Sequence, residues 1–287
     1  MNIDVLSAII SESASFSKGQ RKIAKYITEN YDKAAFMTAS KLGETVGVSE
    51  STVVRFASDL GYDGYPSMRK ALQEMIKNRL TTVQRIVVSK ELIQSRDILT
   101  SVMSSDVDKI RLTLEEINRN DFDSAVSAII GAKNIYVLGL GSSAALSIFM
   151  GFYLNLLFPN VRIVNEGASS DIFEQMLRIS EGDVFITISF PRYSRRTIKA
   201  MNFAASRGAQ ILCITDTETS LVAQTADIKL YAKSDMVSFL DSLVAPLSLI
   251  NALVVASANR AHGDLALKFE KLEDIWAEFE VYESSKN

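Results

Sequence analysis

The sequence predicts two domains of different class: an all-α N-terminal helix-turn-helix domain joined to an α/β C-terminal domain with a parallel sheet. Three observations point there. Apolar residues recur at helical spacing up to about residue 77, between serine and glycine punctuation. From about residue 131, five short aliphatic runs alternate with helix-length segments, which indicates a parallel sheet covered on both faces. Charge is also unevenly divided: residues 1–90 hold 13 Lys and Arg against 9 Asp and Glu, and residues 91–287 hold 18 against 25. A basic head on an acidic body fits a small nucleic-acid module joined to something else.

The first helix signal is Ser17 with Gln20 three residues on, a capping-box spacing. Ile23, Ala24, Ile27 and Tyr31 then mark one apolar face. A second helix is expected after Thr38, with Leu42 and Val46 inward, Gly47 at the turn and Gly43 allowing close helix approach. Ser49 is placed to cap a third helix whose inward face is Val53, Phe56, Ala57 and Leu60, and which ends at Gly61. Residues 78–127 read as a helical linker, including "DVDKIRLTLEEI", expected to pack on the next domain.

The expected strands are "NIYVLG", "VRIVN", "DVFITIS", "QILCIT" and "DIKLYA", and a closing amphipathic helix lies within 261–287. The implied domains are 1–77, 78–127, 128–260 and 261–287. Residues 134–161 carry no charge and could span a bilayer by length. "GLGSS" divides them into a strand and a helix, so no membrane association is expected. The N-terminus lacks a signal-peptide pattern, and a cytoplasmic protein is expected. The single cysteine, Cys213, sits in an apolar run and reads as a buried reduced thiol.

In a helix-turn-helix the second helix enters the major groove of double-stranded DNA by its N-terminal residues. Here the outward positions are Ser51, Thr52, Arg55 and Ser58. Arg55 offers a bidentate contact to guanine, or a phosphate contact. Lys41, Arg69 and Lys70 are candidates for neutralising phosphates. With the capping Ser49, these residues form the expected DNA-binding set.

The strand ends bear "GLGSS", "NEGASSD", "SFPRYSRRT" and "TDTETS", all rich in small or hydroxyl residues, where ligands of such sheets sit. "YVLGLGSSAAL" puts glycine and the hydroxyls of Ser142 and Ser143 at a helix N-terminus, an anion-attracting arrangement. It lacks the third glycine of a dinucleotide fingerprint and the lysine of a P-loop, so no NAD, ATP or other cofactor is expected. "ISFPRYSRRT" adds Ser189, Ser194 and Thr197, with Arg192, Arg195 and Arg196 as a guanidinium cluster suited to a phosphate. Glu166 and Asp171 are candidates for accepting sugar hydroxyls. One histidine, His262, and one cysteine supply neither a metal site nor a catalytic triad, so no metal and no catalysis are expected.

The stretch "GVSESTVVRFASDLGYDGYPSMRKAL" resembles the N-terminal domain of the RpiR-type family of bacterial transcriptional regulators, over roughly residues 1–77. The resemblance implies a winged-helix-like relative of the helix-turn-helix that binds an operator as a homodimer or homotetramer. "GDVFITIS", "AASRGAQILCITDT" and "LVAQTADIKL", with the two loops, resemble the sugar isomerase (SIS) domain over about 128–256. That resemblance implies a five-stranded parallel sheet and a sugar-phosphate effector, its phosphate held by Ser142, Ser143, Ser189, Ser194 and Thr197. Many SIS domains carry a serine-glycine-x-threonine loop where this chain has Ser194-Arg195-Arg196-Thr197, so Arg195 reads as either pocket wall or surface. The expected function is a phosphosugar-sensing regulator of carbohydrate metabolism. The alternatives are a phosphosugar isomerase with an accessory helical domain, and a regulator whose head binds another protein.

Overall fold

The computed structural model describes residues 5–77, 86, 97–166, 171–235, 240–261 and 265–282. Its chain forms two compact units: residues up to 108 with 235–242, and residues 109–234 with 243 onward.

The N-terminal helices are α1 (Val5–Ser11), α2 (Lys18–Glu29), α3 (Tyr31–Ala34), α4 (Ala39–Val46), α5 (Glu50–Asp59) and α6 (Gly64–Lys77). The capping box of α2 forms as the sequence predicts, Ser17 and Gln20 each satisfying the other's backbone amide. Gln20 also donates to Asp59 Oδ2 at 2.6 Å, tying the start of α2 to the end of α5. Tyr31 does not continue α2: Asn30 leaves helical geometry, and Tyr31 opens the separate turn α3 at the edge of the core. The core brings Ile23, Ile27, Leu42, Val53, Phe56, Met68 and Leu72 to zero exposure, and the Phe16 and Phe56 rings lie 5.2 Å apart. Tyr65 reaches across to donate to the carbonyls of Ala34 and Met37, and its burial pushes the phenol up to about 12. Gly47 closes α4 in the left-handed region at φ 68°, which costs glycine least.

Two helices, α7 (Ile98–Glu116) and α8 (Arg119–Gly131), occupy part of the stretch expected to be a helical linker. The sheet that follows has five strands: β1 (Ile135–Gly139), β2 (Val161–Val164), β3 (Val184–Ile188), β4 (Gln210–Thr215) and β5 (Ile228–Tyr231). All are parallel, in the order β2-β1-β3-β4-β5. Every residue of β1 and β3 is buried, as unbroken apolar strands between two helical layers require. One layer is α8, α9 (Ala144–Leu157) and α13 (Val244–Arg260), packing Val126, Ile129, Met150, Leu154, Ile250 and Leu253 onto Val137, Ile186 and Ile214. The other is α10 (Ile172–Gln175), α11 (Arg195–Ser206) and α12 (Leu221–Thr225), packing Ile172, Met201 and Val222 onto Tyr136, Phe185 and Cys213. A final helix, α14 (Leu265–Glu278), sets Phe269 against the first layer.

The uncharged stretch 134–161 resolves into β1, a single 3-10 turn at Gly141–Ser143, α9 and the approach to β2. No described helix is long and apolar enough to cross a membrane. Cys213 is a free, fully buried thiol, and burial pushes its pKa up to about 12.

Candidate functional site

Ser49 stands at the start of α5 and its hydroxyl accepts the Thr52 amide at 3.2 Å. The same oxygen shares hydrogen bonds with the hydroxyls of Ser51 (2.9 Å) and Thr52 (2.8 Å). The expected inward face, Val53, Phe56, Ala57 and Leu60, is buried, so Ser51, Arg55 and Ser58 face outward and are exposed. Thr52 is only half outward, its methyl packed toward Gly19 of α2. Val54 shares the outer face at 39% exposure, an apolar residue the expected reading set left out. Its position between the outward Ser51 and Arg55 was the available signal.

Gly43 explains the tight turn between α4 and α5: a Cβ there would meet the Val48 carbonyl at 2.8 Å. Lys41 pairs with Glu44 at 3.0 Å, both exposed, a pair weak enough to be exchanged for a phosphate. On α6, Arg69 is half-buried beside Tyr65 and Lys70 is exposed.

The second candidate lies where the strand order reverses. β2 lies to one side of β1 and β3 to the other, so a crevice opens at the carboxyl ends of β1 and β3. The loop after β1 turns through Gly141 at φ 60°, then enters the 3-10 turn and α9. Ser143 is 3% exposed and makes no side-chain cap, whereas Ser142 is exposed. Gly139 holds this loop close to the strand, because a Cβ there would lie 2.3 Å from the Ser143 carbonyl oxygen.

After β3, Ser189 is buried and its amide donates to the Ile214 carbonyl at 3.0 Å. Arg192 adopts a left-handed φ of 72°, an unusual conformation for a residue with a side chain. Tyr193 then donates to Asp216 Oδ1 at 2.6 Å, linking this loop to the end of β4; burial and the neighbouring carboxylate hold the phenol well above its usual range. Ser194 caps α11 by accepting the Arg196 amide at 3.2 Å, and Thr197 is 1% exposed in the first turn. Both loops therefore lead into helices, α9 and α11, whose free amides favour an anion.

The arginines do not act as one cluster. Arg196 turns to two carboxylates, Nη1 to Glu166 Oε1 at 2.7 Å and Nη2 to Asp171 Oδ2 at 2.9 Å. Glu166, a candidate for sugar hydroxyls, is thus held by Arg196, and Asp171 also caps α10. Arg195 is exposed. The whole "GASS" segment after β2, and His262, lie outside the described residues.

Thr187, on β3 beside Leu138 and Cys213, buries its hydroxyl without a partner among the described residues. A cleft of about 940 Å³ opens at the amino ends of β3, β4 and β5, lined by Asn120, Asp123, Asp183 and Gln210. It lies at the opposite end of the sheet from the hydroxyl-rich loops. Among the described residues no group of three or more His, Cys, Asp or Glu is placed to hold a metal ion.

Residues 3–79 match the model of the helix-turn-helix domain of the rpiR family, and residues 128–256 match that of the SIS domain. The chain belongs to the RpiR-type family of bacterial transcriptional regulators. The chain is similar to the HTH-type transcriptional regulator HexR of Pseudomonas aeruginosa, 23% identical over 94% of this chain and 95% of HexR. HexR of Escherichia coli is 29% identical over 77% of this chain and 75% of that protein. Among solved structures, the sugar isomerase domain of an RpiR transcription factor from Sphaerobacter thermophilus is 28% identical, with a TM-score of 0.58. That match covers 62% of this chain and 98% of that domain. The Vibrio vulnificus NanR protein, solved in complex with ManNAc-6P, shares the fold over 96% of this chain and 98% of its own, at 22% identity and TM-score 0.58.

Proposed function

We propose that this RpiR-type regulator reads an operator through α5 and senses a phosphorylated sugar or amino-sugar in the crevice between β1 and β3. What supports the sensing is three buried hydroxyl residues, Ser143, Ser189 and Thr197, on the segments that follow β1 and β3, at a switch point flanked by two helix N-termini. A phosphate there accepts from free amides and hydroxyls, with Ser142 at the mouth and Ser194 at the start of α11. The ManNAc-6P complex of NanR, on the same fold, supports this class of ligand.

Arg196 sets the charge at the mouth: paired to Glu166 and Asp171, it leaves that corner one negative charge in excess. The phosphate is then held by amides and hydroxyls, while Glu166 and Asp171 face sugar hydroxyls. Turnover does not belong to this reading, because isomerisation needs a free base beside the carbonyl and Glu166 is engaged by Arg196. The effector acts by binding one DNA-binding arrangement better than another; a tenfold bias corresponds to about 1.4 kcal/mol.

Ser142→Ala with Ser189→Ala tests the pocket. Calorimetric titration with a panel of sugar phosphates should show the double variant losing affinity for the metabolite that the parent binds. Unchanged affinity would refute the pocket, and consumption of the sugar phosphate by the parent would replace sensing with isomerisation.

A further inference from the structure

One face of α2 is basic along most of its length. Lys18, Arg21, Lys22 and Lys25 fall at intervals of three, one and three residues, so they share one side of the helix, and all four are exposed. The opposite side, Gln20, Ile23, Ala24 and Ile27, is buried in the core of the head. The helix carries a single acid, Glu29, which stands 3.9 Å from Lys25 in an exposed pair. Among the described residues Lys18, Arg21 and Lys22 have no carboxylate partner. Like charges three and four residues apart repel, so the stripe weakens the helix unless something outside the head supplies the countercharge.

The packing of α2 sets this stripe beside the helix proposed to read DNA. A Cβ on Gly19 would touch Thr52 Cγ2 at 3.4 Å and Val48 Cγ1 at 3.6 Å, so the first turn of α2 lies against the start of α5. A Cβ on Gly47, in the turn between α4 and α5, would lie 3.9 Å from Lys22 Nζ. The Lys22 ammonium therefore stands at the edge of the helix-turn-helix, with Lys18 one turn back along the same helix. We propose that the stripe is a second DNA contact, in which Lys18, Arg21 and Lys22 bind backbone phosphates bordering the groove that α5 enters. This role rests on the operator reading of α5 and adds a grip that positions the head without reading sequence. None of the three belongs to the DNA-binding set expected from the sequence. Lysine ammonium groups are compact point charges on flexible stems, which suit a phosphate, whereas base reading favours a rigid fork such as that of Arg55. A lipid surface is disfavoured, because the apolar side of α2, which an interfacial helix would insert, lies in the core.

The test follows the anisotropy of two labelled duplexes with the full chain over a range of salt. One duplex is selected by the protein and the other is unrelated, of equal length. Each neutralised phosphate contributes about 0.9 to the slope of log affinity against log salt, so Lys18→Gln with Lys22→Gln should lower that slope by about 1.8 on both duplexes. Between about 50 and 200 mM salt the parent should then lose about twelvefold more affinity than the variant. The ratio of the two affinities, the affinity for a sugar phosphate and the circular dichroism spectrum should stay parental. Lys18→Arg with Lys22→Arg should keep the parental slope. So should Arg207→Gln, which removes an exposed cation from the sheet unit. A parental slope in the glutamine variant, a loss confined to the selected duplex, or a slope that falls equally in the arginine variant would each overturn the stripe. Binding that prefers no duplex yet loses this slope in the glutamine variant would sink the operator reading and leave the stripe standing. A chain that binds no duplex at any salt would overturn both.

Discussion

Gly139→Ala tests whether the loop after β1 is built as described. Gly139 has no left-handed φ, so alanine brings no backbone strain, and its effect is purely one of space. The added Cβ would lie 2.3 Å from the Ser143 oxygen, 2.8 Å from the Ser143 carbonyl carbon and 3.0 Å from Ser147 Oγ. Ordinary contact begins near 3.4 Å, so the backbone of Ser143 must retreat by about 1 Å. Overpacking of this kind costs about 1–3 kcal/mol. Alanine returns about 0.4–1 kcal/mol by restricting the unfolded chain, which leaves a net loss of about 1–2 kcal/mol. Urea unfolding of the sheet unit should report that loss.

If the proposed pocket holds, the same shift should carry the Ser143 hydroxyl out of hydrogen-bond range of a bound phosphate. One lost bond to a charged group is worth about 1.5–3 kcal/mol, so calorimetry should record at least a tenfold loss of effector affinity. A variant with parental stability and parental affinity would show that Ser143 does not close over Gly139, and the crevice would have to be redrawn.

Other outcomes follow from the same geometry. Arg55→Ala should cost about 1–3 kcal/mol of specific operator binding by fluorescence anisotropy, with sugar-phosphate affinity unchanged; an operator bound as tightly as by the parent would remove Arg55 from the reading set. Arg196→Gln should change stability by less than about 1 kcal/mol, because Arg196, Glu166 and Asp171 are all half exposed. Its effector affinity should fall more than that in free energy, since two unneutralised carboxylates then face the phosphate; equal losses would make Arg196 merely structural. Tyr65 is raised to about 12 in the folded chain from an ordinary value near 10. Its contribution is complete below pH 10 and is lost as pH rises through 12, by about 2–3 kcal/mol at most. Alkaline unfolding of the head should therefore steepen between those values in the parent, and less so in Tyr65→Phe.

The legible parts of this chain are those set by neighbours in sequence. The Ser17–Gln20 capping box, the Ser49 cap and the inward face of α5 need only residues three or four apart, and all three form. The five aliphatic runs became five parallel strands because unbroken apolar runs have no other comfortable place. The sites were less legible. Arg196 meets Glu166 across thirty residues and Tyr193 meets Asp216 across twenty-three, and no local pattern announces such pairs. The arginines after β3 therefore looked like one cluster, although Arg196 is already neutralised.

Coupling between sugar-phosphate binding and operator binding is tested most directly by anisotropy of a labelled duplex with the full chain at fixed salt. The duplex is one selected by this protein from the promoter region beside its own gene, and it is titrated with individual sugar phosphates. A phosphosugar-sensing regulator should show specific binding whose affinity shifts at least tenfold with one sugar phosphate, and a shift abolished by Ser142→Ala with Ser189→Ala. Specific binding indifferent to every sugar phosphate, or a shift that survives the double substitution, would contradict it.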